Sequence, residues 1–371
     1  MLLLSGPNIS GNEWKYVKDC LDTGWVSSVG AYVTQFENMV AEFAGCRFGV
    51  ATSNGTAALQ ISLILAGVQQ DDYVIVPNLT FIASVNSIKY TGANPILMDV
   101  DENTWQMDLG LLEKFLREKT NRDGGLLKLK QDGRVIRCIM PVHVLGNMAD
   151  MDRLMGLAEE FGLPVIEDST EALGSFYKGK HAGGFGLLGC FSFNGNKIIT
   201  TGGGGVIVTN DEGLAKKAKH LTTQAKSDPF EYMHDEVGYN FRLVNVLAAM
   251  GVAQMELLPS FVRRKKEIDA LYRSELAGIG DIGFQEVGAA VDANCWLFTI
   301  STARQRDVLK VLNDAAMQSR PFWVPMNKLP MFSGDYFYQE NDRSDFVYQR
   351  CLSVPCSTYI KDEEVKNKHV Y

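Results

Sequence analysis

This 371-residue chain is short of the residue patterns that make metal clusters, disulfide frameworks and nucleic-acid grips. Its seven cysteines, Cys20, Cys46, Cys138, Cys190, Cys295, Cys351 and Cys356, are odd in number and form no Cys-x-x-Cys pair, so reduced thiols are expected. The five histidines never fall at His-x-x-x-His spacing, and no metal is expected. A formal net charge of -8, with no basic tail, sets the chain against a polyphosphate partner, so no nucleic acid is expected, while a local pocket for one small anion stays compatible. Residues 1–4 are apolar but lack a basic start and are broken by Ser5, Gly6 and Pro7, which argues against a signal peptide or membrane anchor and for a cytoplasmic location. There is no internal repeat and no low-complexity tract.

What is present suits a large buried core. With 46% hydrophobic and 22% charged residues, the length fits one large domain plus a smaller one. Trp14, Val17 and Leu21 recur at helical spacing, as do Phe36, Met39, Val40 and Phe43, predicting two helices that each pack one face. Short apolar runs at 48–52, 73–77, 95–99, 136–142, 164–168, 189–193 and 205–209 predict strands, and the stretches 56–66, 82–90, 108–118 and 151–161 predict helices between them. Seven strands with helical crossovers predict an α/β fold whose seven-stranded, mainly parallel sheet is covered on both faces. The polar, glycine-containing residues 121–133 predict a small hairpin inserted before the fourth strand. A helical pattern over 245–258 ends at Pro259, which places the boundary between a large domain, 1–258, and a smaller C-terminal α/β domain, 259–371.

The chemistry centres on Lys197. It sits on a polar turn between two apolar runs, with Ser192 five residues before it and four glycines, 202–205, after it. That is how a chain presents an amine to a phosphate-bearing aldehyde, so Lys197 reads as the Schiff-base lysine for pyridoxal 5'-phosphate; the alternative is a solvated surface charge. In an open parallel sheet ligands bind at the carboxyl ends of the strands, and several informative residues fall there. Ser53, Asn54, Gly55 and Thr56 join a strand to a helix whose first amides can cradle a phosphate, or simply cap the helix. Phe81 can lie flat over an aromatic ring or belong to the core. Asp168 ends a strand where a carboxylate can pair with a protonated pyridine nitrogen, although Asp168, Ser169, Thr170 and Glu171 also fit a capping box that merely starts a helix. Glu171 is then either structural or a partner near the cofactor hydroxyl. Ser192 is a phosphate contact or a satisfied core hydroxyl, and His143 a cavity residue or a satisfied structural histidine.

Taken in order, the stretches 52–59, 80–86, 166–168, the Lys197 segment with its glycines, and Gly238-Tyr239-Asn240-Phe241-Arg242 resemble the fold-type I, pyridoxal-phosphate-dependent nucleotide-sugar aminotransferases, the DegT-like family. The resemblance runs from about Trp25 to Glu256 and continues more weakly to the end. It implies Lys197 as the cofactor lysine, Asp168 as the ring-nitrogen partner, Phe81 as the stacking residue, and Gly55, Thr56 and Ser192 as phosphate contacts. It also implies a homodimer with shared active sites, in which Asn240 reaches the neighbouring subunit's phosphate and Arg242 contacts an anion. The implied reaction moves an amino group from L-glutamate to C4 of a nucleotide-linked 4-keto-6-deoxy sugar. Asn12-Glu13-Trp14-Lys15-Tyr16-Val17 and Ser319-Arg320-Pro321-Phe322-Trp323 favour a UDP- or GDP-linked 2-acetamido sugar of the legionaminic acid or bacillosamine type, with GDP-perosamine synthesis as the alternative. Trp25, Ser27, Gly30, His143, Arg320 and Trp323 are the other expected substrate contacts. Asn327 stands where many relatives carry histidine, and Lys197 argues against the branch that carries histidine at that position and dehydrates its substrate. Two rivals fit less well: a dinucleotide loop at 202–205 would have to link a strand to a helix but precedes a strand, and a cofactor-binding regulator lacks a DNA-binding arm.

Overall fold

The seven expected strands lie side by side in the computed structural model, which describes residues 1–228 and 230–366. Their spatial order is Phe48–Thr52, Gly205–Thr209, Leu188–Ser192, Ile166–Asp168, Ile136–Ile139, Tyr73–Pro77 and Asn94–Met98. Two four-strand ladders are joined by the parallel bridges of Ile139 with Val165 and Val142 with Asp168. Gly205–Thr209 runs antiparallel to both neighbours, and the other pairings between adjacent strands are parallel. An eighth strand, Tyr336–Tyr338, comes back from the C-terminal region and pairs in parallel with Asn94–Met98. The sequence signalled no strand there.

Alternating residues explain why the sheet is covered twice. Val74, Val76 and Leu97 pack into one core cluster, whereas Tyr73, Ile75, Ile96 and Met98 pack into another. Successive side chains of a strand point to opposite faces, so each face needs its own layer of helices. Val74, Ile75, Ile96 and Leu97 are fully buried, and burying such a side chain stabilises by about 1.5–3 kcal/mol. The covering helices start on side-chain caps. Asp150 accepts from Arg153 N at the start of Met151–Phe161, and Asp108 accepts from Gly110 N and Leu111 N at the start of Leu109–Lys119. The expected hairpin pairs Thr120–Asp123 with Leu126–Leu129, turning on Gly124 and Gly125, both at positive φ.

One expectation needs correction. The helix that should stop at Pro259 runs from Asn245 to Leu276, 32 residues, with Pro259 inside it. An interior proline costs a helix about 3 kcal/mol. Burial on both sides of it outweighs that cost: Ala248, Val252 and Leu258 enter the large core, and Ile268, Tyr272 and Leu276 a second one. The proposed division at 258/259 therefore falls within a helix and not in a linker. The most apolar stretch of this helix is long enough to cross a bilayer, yet more than half of it is buried inside the protein, as befits a core helix. Its second half packs under a four-stranded sheet in the order Gly283–Phe284, Thr299–Ser301, Cys351–Ser353, Arg320–Pro321, and Tyr272 stacks on Phe298 with ring centroids 4.6 Å apart.

Behind the central sheet lies a fully buried carboxylate, Glu167. It accepts from Gly183 N at 2.8 Å, Phe185 N at 2.6 Å and Gly186 N at 2.7 Å, and meets His143 Nε2 at 3.0 Å. Burial opposes its charge, but the bonds from His143, Gly186 and Gly183 outweigh burial and hold its carboxyl below the usual range. Its stabilising contribution is thus present above the unfolded-state value and is lost as pH falls through the lower folded value. Glu167→Ala should reduce unfolding free energy by about 3–5 kcal/mol at neutral pH, as for other broken buried pairs. Denaturant titration measures this, and the gap to the unmutated protein should narrow in acid.

Candidate active site

Gly205 pairs with Thr52 on one side and with Ser192 on the other, so those two strands deliver their carboxyl ends to the same edge of the sheet. Ile166–Asp168, parallel to Leu188–Ser192, ends there too. At this edge the helix Gly55–Leu65 begins. Asn54 caps it: its side chain accepts from Ala57 N at 2.8 Å and its carbonyl from Ala58 N at 3.2 Å. The amides of Gly55 and Thr56 remain as the helix's first donors, without an intrahelical acceptor. A Cβ on Gly55 would sit 2.8 Å from Ser192 Cβ and 3.2 Å from Thr170 Cγ2. Only glycine lets these three segments close on one small anion, with the helix dipole favouring negative charge.

Asp168 does not start a helix. Residues 169–175 form turns, and its carboxylate accepts from Ser84 Oγ at 2.7 Å and Thr170 N at 3.2 Å, while Ser84 Oγ meets Thr80 Oγ1 at 2.9 Å. These bonds hold the buried carboxylate in one orientation, so the capping-box alternative is set aside.

Glu171 and Lys197 face each other, Nζ to Oε1 at 3.8 Å. Burial pushes the Glu171 carboxyl up to about 7, against the opposing pull of Lys197 and a hydrogen bond from Leu145 N. Burial likewise lowers the Lys197 amine from its ordinary value, with Glu171 and Asp168 working the other way. Both shifts favour the uncharged forms. A buried acid and base facing each other, each shifted toward its uncharged form, is an arrangement able to exchange a proton.

These groups line a cavity of ≈ 500 Å³. Gly55, Thr56, Glu171, Ser192 and Lys197 line it together with Phe81, Arg320 and Trp323, whereas Asp168 is not among its lining residues. Phe81 is 52% exposed, and its ring centroid lies 6.3 Å from that of Trp323, edge on. Arg320 is exposed and donates to the Ser319 carbonyl, with no carboxylate partner among the described residues.

Other expected contacts lie elsewhere. His143 is fully buried against Glu167 and does not line the cavity, because the carboxylate beneath the sheet claims its ring. Arg242 donates to Glu37 Oε1 at 2.5 Å and to the Ala51 carbonyl at 3.2 Å. Glu37 is buried and needs a cation, which Arg242 supplies, and Arg242 is not among the residues that line this chain's Lys197 cavity. Trp25, Gly30 and Arg242 line a second cavity of ≈ 650 Å³, while Ser27 and Asn240 are exposed outside the first. Asn327 exchanges two hydrogen bonds with Asn78, each 2.9 Å. His220, Asp235 and Glu236 lie close together, but His220 already bonds Asp235 and Glu236 pairs with Lys217. Sequence reasoning missed Leu4, Leu145 and Trp296, which also line the Lys197 cavity. They are apolar or aromatic residues inside ordinary-looking runs, with no local signal.

Comparison with known proteins agrees with this geometry. The model of the DegT/DnrJ/EryC1/StrS aminotransferase family matches residues 7–369. The chain belongs to that family. It is 39% identical over 362 residues to the GDP-perosamine synthase of Escherichia coli O157:H7, covering 97% of this chain and 94% of that one. It is 37% identical to the GDP-perosamine synthase of Caulobacter vibrioides, covering 89% and 86%. The crystal structure of S. venezuelae DesV in complex with a ketimine intermediate superposes with a TM-score of 0.86 at 28% identity, over 95% of this chain and 91% of that one.

The protein is thus a pyridoxal-phosphate-dependent sugar aminotransferase of the α/β fold expected. The residues at hand fit the cofactor: an anion cradle that a Cβ at Gly55 would fill, a fixed carboxylate at Asp168 and an amine at Lys197. A carboxyl raised to about 7 binds its proton more tightly folded than unfolded, so its stabilising effect is full below the unfolded value and is lost as pH rises through 7. Melting of the cofactor-free protein from about pH 5 to about pH 8 should therefore show Glu171→Gln gaining on the unmutated protein as pH rises. A constant difference across that range would refute the assignment of a titrating Glu171.

Proposed function

We propose that this protein transfers an amino group from L-glutamate to C4 of a GDP-linked 4-keto-6-deoxy hexose, as in GDP-perosamine synthesis. The observation that carries the reading is likeness along nearly the whole chain to two GDP-perosamine synthases. This displaces the 2-acetamido sugar of the legionaminic acid or bacillosamine type as the favoured substrate, and O-antigen synthesis becomes the favoured setting. Arg320, a cation at the cavity without a carboxylate partner among the described residues, supports an acidic ligand such as the donor carboxylate or the nucleotide diphosphate.

When bound, pyridoxal phosphate supplies an aldehyde that takes up the amino group and a ring that draws off an electron pair. The chain's residues do the rest. The Gly55 and Thr56 amides with Ser192 would hold the phosphate, and Phe81 would pack against the ring. Asp168, oriented by Ser84 and Thr170, holds a proton at the ring nitrogen. Lys197 Nζ removes the proton from the donor α carbon and passes it on, and its lowered pKa keeps more of it neutral and able to do so. Glu171, beside it, takes or returns a proton as the amine changes charge.

We further propose that the working form is a homodimer in the cytoplasm. Asn240 and Trp25 are exposed outside the Lys197 cavity, together with the apolar Val29, Tyr232 and Val237, and a second copy would cover them. We propose as well a large domain, 1–258, and a smaller one, 259–371, that share the continuous helix Asn245–Leu276.

The deciding experiment incubates the protein with L-glutamate and, separately, a GDP-linked 4-keto-6-deoxy hexose and a UDP-linked 4-keto-6-deoxy-2-acetamido hexose, with mass analysis of the products. Amination of the GDP sugar is the expected result, and amination of the UDP sugar alone would restore the 2-acetamido reading. Lys197→Ala should abolish turnover in either case.

A further inference from the structure

We propose that Trp296 is the positioning residue that holds the Lys197 amine whenever that amine is released from the cofactor, an inference that rests on Lys197 being the cofactor lysine. During the reaction this side chain must serve in two places, bonded and free. A lysine is long and flexible, and confining it costs rotamer entropy. A free amine that acts on a proton needs something to hold it near the reacting carbon.

Trp296 holds both ends of the lysine. Its Nε1 donates to the Asn196 carbonyl at 2.7 Å, fixing the backbone immediately before Lys197. Its ring centroid lies 4.1 Å from Lys197 Nζ, within the distance at which the ring face attracts the amine when it is protonated. With Glu171 Oε1 at 3.8 Å, the amine has one aromatic and one carboxyl neighbour.

The indole is itself fixed. Its backbone N donates to Asn294 Oδ1 at 2.9 Å, and its carbonyl accepts from the buried Lys265 Nζ at 2.8 Å. Cys295 between them takes a left-handed conformation, φ 55°, which a residue with a Cβ adopts only when its surroundings enforce it. Asn294 also donates from Nδ2 to the Glu171 carbonyl at 2.8 Å and the Leu173 carbonyl at 2.9 Å. The three residues 294–296 thus register Lys197 and Glu171 against each other from outside the central sheet. A purely structural Trp296, 3% exposed, would fill the same space without governing the amine.

The test uses Trp296→Phe, which keeps a ring face and loses the N–H, and Trp296→Leu, which loses both. In cofactor-free protein, reductive methylation with formaldehyde and cyanoborohydride is followed at Lys197 by peptide mass across a pH series, with exposed Lys310 as internal control. Labelling of Lys197 should rise about tenfold in Trp296→Leu and less in Trp296→Phe, with Lys310 unchanged, as loss of a cation–π contact and its shielding predicts. In loaded enzyme kcat should fall about tenfold while KM for L-glutamate stays within about twofold. Unchanged Lys197 labelling in folded variants overturns the proposal, and if the leucine variant does not fold the phenylalanine variant decides. Borohydride trapping of pyridoxal phosphate on Lys197 in the unmutated protein is read separately: its failure would overturn the cofactor-lysine reading, whatever the labelling rates.

Discussion

Gly205 is paired on both sides, to Thr52 and to Ser192, and the site depends on that double pairing. One antiparallel strand set between two strands that run the other way brings both of their carboxyl ends to one edge. A side chain at Gly205 would press on the Asn54 carbonyl, where a Cβ would lie 2.5 Å from the oxygen, and would push the start of the helix Gly55–Leu65 away from Ser192. The same strand follows the glycine-rich reversal after Lys197. Ser192 and the helix N-terminus are therefore placed by one ladder of backbone hydrogen bonds, and Lys197 by the turn that this ladder closes.

Buried charges in this protein sort by how fully they are satisfied. Glu167 accepts three backbone N–H groups besides facing His143, which stabilises its ionised form and makes it structural. Lys265 is equally buried and donates to the carbonyls of Trp296 and Cys356. Glu171 has one backbone donor, Leu145 N, and looks onto an amine 3.8 Å away. A carboxyl with so little compensation for burial can change protonation at modest cost, and that suits it to a site where a neighbouring amine gains and loses a proton.

Local periodicity and chain order explain which features were legible in the sequence. Apolar runs of four or five residues bounded by polar turns can be little else than buried strands when helical stretches separate them, so the seven central strands and their helices were readable. That Asp168, Ser192, Gly55 and Lys197 fall at one edge of the sheet was readable because each ends such a strand or follows it within a few residues. The helix through Pro259 was not, because a proline's local cost of about 3 kcal/mol is visible in sequence while the burial that outweighs it comes from two distant cores. The partners of His143 and Arg242 were hidden for a related reason: each answers a buried carboxylate, Glu167 or Glu37, that lies far away in the chain.

By itself, then, the sequence determined the fold class, through its spacing of apolar runs, and the family, through the resemblance of continuous segments. Tertiary structure alone decided that Tyr336–Tyr338 joins the large sheet, that Arg320 stands at the cavity without a carboxylate partner among the described residues, and that Trp296 covers an amine about a hundred residues earlier. Those are contacts between distant segments. Their energies depend on which surfaces meet after folding, and no local pattern of residues records that.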